Sequence, residues 1–200
     1  NSAVHLRGDG TLAAHYDKRI LVPFGETIPL SDTFPSLKGR IPGVGDLASG
    51  ERPCRFQAAG EEIACGICYE ALFAGFTRDS AQGASMLTNL TIDVWFGTTV
   101  APWFHVMSQA SRAVELGLPL VRGALTGVTT VIDVDGQPID ALPLDEEGVL
   151  EVPLKLRDLR TPYSAVGPLF SWLLLLVTAG LLWRARDQPS GQTQPPPGEG

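Results

Sequence analysis

Polar and apolar residues alternate from the first positions of the chain. Ala3-Val4-His5-Leu6 and Leu12-Ala13-Ala14-His15-Tyr16 flank Asp9-Gly10, which predicts a β-hairpin. Two further short runs, 55–58 and 62–67, flank Ala59-Gly60 and predict a second hairpin. Its outgoing strand leads directly into Cys68. From Glu70 the apolar residues Ala71, Leu72, Phe73 and Phe76 recur at helical spacing, so a helix is expected to begin there. Between the hairpins, residues 31–50 mix a short helix with loop signals. Beyond them the pattern predicts a strand over 85–92, a helix over 103–116 and strands over 120–124 and 129–134. Asp135-Gly136 then opens a last hairpin, expected to end near Leu154. Strands and helices alternate early and strands alone come late, which makes the class α/β with antiparallel additions. A chain that opens inside a hairpin, without an initiator Met, reads as a fragment.

Residues 165–183 differ in kind. They carry no charge, contain the run Leu173-Leu174-Leu175-Leu176-Val177, and have Trp172 and Trp183 placed as interface anchors. At about 1.5 Å per residue they reach roughly 28 Å, enough to cross a hydrocarbon core. The alternative is a buried core helix, but such helices seldom stay apolar on every side. Arg184 and Arg186 follow at once, so the C-terminus is expected in the cytoplasm and the preceding domain on the outer face. The Pro/Gly/Gln-rich residues 187–200 are expected to form a disordered tail. The expected organisation is thus a folded part over 1–160, a span over 165–183 and a tail over 187–200.

Composition narrows the function. The chain is 44% hydrophobic and 18% charged, which suits a packed core rather than disorder. A net charge of −7 without any Lys/Arg cluster argues against nucleic acid as a partner. Three cysteines are too few for a disulfide framework, and their odd number leaves at least one thiol unpaired.

Cys68 is the thiol best placed for chemistry. A strand that ends in a nucleophile and turns into a helix sets the side chain proud of the sheet, where unpaired N–H groups favour the thiolate. Position alone does not separate it from an ordinary core cysteine. Cys65 and Cys68 match half of a redox or zinc motif, but no second pair completes it, and residues three apart on a strand face opposite sides. Neither a metal nor a cofactor is expected. His105 and Asn89 could join Cys68 in a Cys/His/Asn arrangement, although His105 reads better as a packing or capping residue. Asn89-Leu90-Thr91 forms a glycosylation sequon, but inside an apolar strand.

The surrounding motifs decide between these readings. Tyr16-Asp17-Lys18-Arg19, Val22-Pro23-Phe24-Gly25-Glu26 and Gly66-Ile67-Cys68-Tyr69-Glu70 resemble the nitrilase, or carbon-nitrogen hydrolase, superfamily. Asn89–Gly97, Ala101-Pro102-Trp103-Phe104-His105, Arg112-Ala113-Val114-Glu115, Pro119-Leu120-Val121-Arg122 and Thr126-Gly127-Val128 continue in the order found in apolipoprotein N-acyltransferases. With the apolar stretch, the resemblance covers residues 1 to 183. It implies part of a nitrilase-like αββα sandwich followed by one C-terminal transmembrane helix. It also implies a Cys-Lys-Glu triad in which Cys68 is the nucleophile and Lys18 the lysine. Glu26 would be a supporting glutamate, and Tyr69 and Glu70 the residues that flank the nucleophile. The general-base glutamate of that family precedes the lysine, and no Glu stands before Lys18 here, so these 200 residues alone are expected to be inactive.

The chemistry fits the residue types. A thiolate attacks an ester carbonyl, and an ammonium with the Tyr69 backbone N–H can hold the developing oxyanion. The resemblance supplies the substrates: a membrane phospholipid as acyl donor and the diacylglyceryl-cysteine of a lipoprotein as acceptor, at the periplasmic face of a bacterial inner membrane. The alternatives are a membrane-tethered hydrolase acting on a soluble amide or nitrile, and a catalytically dead remnant. Two positions depart from the family pattern. Ile92 and Leu125 stand where asparagines are usual, which predicts the loss of two side-chain hydrogen bonds near the site.

Overall fold

The computed structural model of the chain describes residues 1–31, 33–97, 99–144, 146–156 and 161–186. The predicted tail at 187–200 lies outside them. Two compact units divide the chain, one over residues 1–165 and the other from 166 onward.

The first unit opens with the predicted hairpin, β1 (Ser2–Leu6) against β2 (Leu12–Asp17). Its inward face holds Ala3 and Tyr16, paired in register, and the same alternation carries Lys18 inward just past β2. The outward face shows Val4, Leu6 and Leu12 to solvent.

The second sheet has six strands in sequence order: β3 (Arg55–Ala58), β4 (Glu61–Ile67), β5 (Met86–Thr91), β6 (Leu120–Ala124), β7 (Thr130–Ile132) and β8 (Pro138–Ala141). β4, β5 and β6 run parallel, and the flanking pairs are antiparallel. Parallel neighbours need crossovers. The first combines a 3₁₀ turn (Cys68–Leu72) with helix α1 (Ala74–Ser80), and the second uses helix α2 (Ala101–Leu116). The carboxyl ends of β4, β5 and β6 therefore open on one side, the usual place for chemistry in such sheets.

Helix α2 covers the sheet. Pro102, His105, Val106, Gln109, Ala113 and Leu116 are its buried residues, three or four positions apart. Val106, Ala113 and Leu116 pack with Leu87, Leu120, Val128 and Ile132 in the main core. Pro102 at the first turn starts the helix two residues earlier than predicted, and Gly117, left-handed at φ 67°, ends it. The hairpin makes a smaller core of its own, in which Ala3 and Tyr16 meet Cys54 and Cys65.

Three expectations need correction. The helix expected from Glu70 is a 3₁₀ turn ending at Leu72, and Phe73, in extended backbone, separates it from α1. The last hairpin stops at Ala141, and residues 146–156 form no strand, because Pro143 and the acidic stretch from Asp145 interrupt the alternation. The apolar stretch divides in two. A short α3 (Pro162–Val166) ends where Gly167 turns left-handed at φ 62°, and α4 (Leu169–Arg186) starts after Pro168. No side chain along the 18 residues of α4 is buried, and its mean hydropathy is 1.4. By length and composition it can cross a membrane.

Ile132 is fully buried between α2 and the sheet, whereas Val149 is 92% exposed. Ile132→Ala is expected to destabilise the protein by about 2–5 kcal/mol and Val149→Ala by close to nothing. Thermal unfolding of the two variants in detergent measures the contrast.

Candidate functional site

Cys68 sits where β4 stops, and it does so at φ +50°. Left-handed backbone is unfavourable for a residue with a Cβ, so neighbouring groups must hold it. Its side chain is part-exposed, unlike the buried Cys54 and Cys65. Those two thiols are ladder neighbours within the hairpin core, and the Cys65 N–H donates to the Cys54 carbonyl at 3.3 Å. The Cys65 thiol and burial push the Cys54 thiol well above its usual range, so it stays protonated and unreactive. The Cys65/Cys68 half-motif is thus split between a packed core and the open end of a strand.

Glu70 does much of the holding. It is fully buried, two residues past Cys68, and its carboxylate collects four donors. Oε1 accepts from the Tyr16 hydroxyl at 2.7 Å and from the Arg19 and Ile20 N–H groups at 2.7 and 3.0 Å. Oε2 accepts from the Ile67 N–H at 2.8 Å. One carboxylate therefore fastens the segment just after Lys18 to the residue just before Cys68. Burial and the neighbouring carboxylate push the Tyr16 phenol far up, which keeps it a donor.

Lys18 is 1% exposed, so it is not a solvated surface lysine. Its Nζ donates to both oxygens of Glu26, at 2.9 and 2.8 Å. Glu26 lies at the end of the Pro23-Phe24-Gly25 loop. Its Oε2 also accepts from the Val22 N–H at 2.8 Å, which fixes the loop that carries it, and its Oε1 accepts from the Asn1 side chain. Gly50 completes the seat: its N–H donates to the Lys18 carbonyl at 2.9 Å. A Cβ at residue 50 would stand 2.1 Å from the Asp17 carbonyl oxygen, so only glycine allows this approach. Tyr69 stacks edge-on against Phe73, with ring centroids 5.0 Å apart.

A second polar cluster lies under the elbow. The Cys68 carbonyl meets His105 Nε2 at 3.2 Å and Asn89 Nδ2 at 3.4 Å, and Asn89 also donates to the Gly66 carbonyl at 3.3 Å. Gln109 on α2 donates to Asn89 Oδ1 at 2.9 Å. His105 Nδ1 meets Asp93 Oδ1 at 3.0 Å, Thr91 donates to the same oxygen at 3.0 Å, and Arg122 Nη2 pairs with Asp93 Oδ2. Burial pushes the Asp93 carboxyl up, but the His105 hydrogen bond and the Arg122 charge outweigh it and hold the group below its usual range. Gly127, at φ +105°, lies so close to Asp93 that a Cβ would approach Oδ2 to 2.5 Å.

His105 thus engages the Cys68 carbonyl and Asp93, which does not match the role of a base in a Cys/His/Asn arrangement. The sequon asparagine is 2% exposed and hydrogen-bonded, beyond the reach of a glycosylating enzyme. Ile92 and Leu125, the two departures from the family pattern, are 46% and 79% exposed and stand outside the buried cluster. Sequence reasoning missed Asp93, Arg122 and Gln109. One signal was available: an arginine inside a central parallel strand, flanked by Leu120 and Val121, must be paired when buried. Among the described residues no group of three or more His, Cys, Asp or Glu side chains could hold a metal ion.

A thiol at a strained strand end, a buried lysine gripped by a glutamate and a mixed sheet with three parallel central strands define a nitrilase-type enzyme fold. The carbon-nitrogen hydrolase family matches residues 1–161, and the chain belongs to it. Amidases from Nesterenkonia sp. AN1 share the fold, with TM-scores of 0.51–0.52 and 22% identity over 72% of this chain and 51–52% of theirs. More specifically, the chain is 34% identical over 191 residues to apolipoprotein N-acyltransferase of Geobacter metallireducens, covering 94% of this chain and 37% of that protein. The enzyme of the same name from Bradyrhizobium diazoefficiens is 36% identical over 190 residues, 93% of this chain and 35% of its own. The chain spans about a third of the length of these relatives.

The depressed Asp93 carboxyl has a pH consequence. Its stabilisation is fully present above the unfolded carboxylate range, near pH 3.9, and is lost as pH falls through the lower folded value. The stability gap between wild type and Asp93→Asn should therefore narrow as pH falls below about 4. Chemical denaturation over a pH series checks this; a gap that widens in acid would contradict it.

Proposed function

We propose that this segment supplies the nucleophile and lysine of a membrane-bound N-acyltransferase that matures bacterial lipoproteins. The observation that carries the reading is the seating of Lys18. A lysine would not be buried against Glu26, next to a segment tied through Glu70 to the Cys68 elbow, merely to solvate a surface. The similarity to apolipoprotein N-acyltransferases supports the choice of substrates.

In the first half-reaction the Cys68 thiolate attacks an ester carbonyl of a phospholipid. A C–S bond forms, the ester C–O bond breaks, and the lysophospholipid leaves after taking a proton. The Lys18 ammonium and the Tyr69 N–H stabilise the oxyanion, while Glu26 keeps the ammonium in place. In the second half the α-amine of a diacylglyceryl-cysteine attacks the thioester. An amide C–N bond forms, the C–S bond breaks, and the thiolate returns. The general base is a glutamate that precedes this segment in the longer protein. Helix α4 spans the inner membrane and keeps the thiol at the periplasmic surface, where both lipid substrates are found. Residues 1–160 belong to the catalytic domain, and the C-terminus lies in the cytoplasm.

In the full-length enzyme, Cys68→Ala is expected to abolish acyl-thioester formation from phospholipid, while Cys54→Ala and Cys65→Ala retain it. Lys18→Ala should slow acylation on the order of 10²–10³-fold, about 3 kcal/mol of barrier. Mass spectrometry of the intact protein reads both outcomes. An acyl group found on Cys54 or Cys65 would refute the assignment, as would a near-normal rate in folded Lys18→Ala. Release of free fatty acid with no acylated amine would instead identify a hydrolase.

Topology is tested separately. A membrane-impermeant thiol reagent should label Cys68 in spheroplasts, from the outer face. Labelling that appears only after the membrane is broken would invert the orientation.

A further inference from the structure

The buried cluster beneath Cys68 takes no direct part in the acyl transfer proposed above, yet it holds two charged side chains and a histidine. Asp93, His105 and Arg122 are 2%, 5% and 0% exposed. Burying charge is costly unless each group is matched, and an apolar cluster of the same volume would serve packing as well or better. Something other than packing accounts for it.

The hydrogen-bond partners of His105 indicate what. One ring nitrogen faces the Asp93 carboxylate and the other the Cys68 carbonyl, at 3.0 and 3.2 Å. Both are acceptors. A neutral imidazole has one donor, so it could satisfy only one of them, whereas the imidazolium satisfies both. With Arg122 on the other Asp93 oxygen, one carboxylate then faces two cations, and one positive charge is left beneath the nucleophile. The other charged and titratable groups around the ring are Asp93, Arg122 and the Cys68 thiol itself; Phe96 meets it edge-on, with centroids 6.1 Å apart.

We propose that His105 is the positioning residue of the nucleophile: as an imidazolium held by Asp93, whose other oxygen Arg122 pairs, it clamps the Cys68 carbonyl, fixes the left-handed elbow and favours the thiolate. This rests on the reading of Cys68 as the nucleophile. Asn89, held by Gln109, is the second, neutral donor to the same carbonyl. The two donors enter from different elements, α2 and β5, so the elbow cannot relax its backbone without breaking bonds to both. The carbonyl of a left-handed residue points where an ordinary strand would not send it. The clamp meets it there.

The test uses the full-length enzyme in detergent. Cys68 is alkylated with iodoacetamide across a pH series, in a background where Cys54 and Cys65 are alanine, and acylation by phospholipid is measured in parallel. His105→Phe keeps the ring volume and removes both donors. It should raise the midpoint of the alkylation profile by about one pH unit. It should also slow acylation on the order of 10²-fold with little change in phospholipid KM. A folded His105→Phe enzyme with a wild-type profile and rate overturns the proposal. His105→Gln decides the matter should the Phe variant fail to fold, because the amide restores a donor but no charge. Its acylation rate should return to within about tenfold of wild type while the alkylation midpoint stays raised; a wild-type midpoint overturns the proposal. If phospholipid leaves wild-type Cys68 unmodified, the acyl-transfer reading fails by itself, and the alkylation profiles still decide the role of His105.

Discussion

A single buried carboxylate, that of Glu70, holds this site together. Lys18 extends from a two-stranded hairpin and Cys68 from a six-stranded sheet, and no backbone ladder joins the two. Side-chain packing of Ala3 and Tyr16 on Cys54 and Cys65 brings the layers into contact but does not fix their register. Glu70 does, because its two oxygens are shared between them: three donors come from the hairpin side and one from the elbow. A carboxylate that accepts several N–H and O–H bonds tolerates burial without a counter-ion.

The three acids of the site are each compensated differently, and the differences follow their tasks. Glu70 is satisfied by neutral donors and serves as a fastener. Glu26 is satisfied by the Lys18 ammonium and by the N–H of Val22, so it orients a cation while staying on a part-exposed loop. Asp93 is satisfied by the Arg122 guanidinium, the His105 ring and the Thr91 hydroxyl, so it ties α2 to the central strands.

Much of this was legible in the chain, for identifiable reasons. Asp9-Gly10 and Ala59-Gly60 announced their hairpins because turns that need positive φ restrict the residue type, and Gly10, Ala59 and Gly60 do adopt it. Cys68, Lys18 and Glu26 were marked by motifs around them. The 3₁₀ turn after Cys68 was not legible, since apolar spacing of three or four fits either helix over so few residues. Nor was the brevity of β8: Asp135-Gly136 signals that a strand turns back, not how far it continues. The apolar stretch at the end was correct in kind and misplaced in extent, because Gly167-Pro168 break the helix locally while the composition around them stays apolar. Arg122 was read as part of a motif and not as a buried charge, because its partner, Asp93, lies 29 residues away and meets it only across the β5–β6 ladder.

The position of Cys68 explains why so much polar material is gathered at the end of three strands. A residue here in ordinary extended backbone would continue the strand and point its side chain toward one of the two faces of the sheet. Left-handed backbone at φ +50° breaks that alternation. Such a conformation costs of order 1–3 kcal/mol, and it persists only when the surroundings over-determine it. Here the bonds fall on both sides of the strained residue: Glu70 holds the N–H of Ile67 before it, and His105 and Asn89 hold the carbonyl after it. The strain is confined to one residue because its neighbours are anchored on both sides.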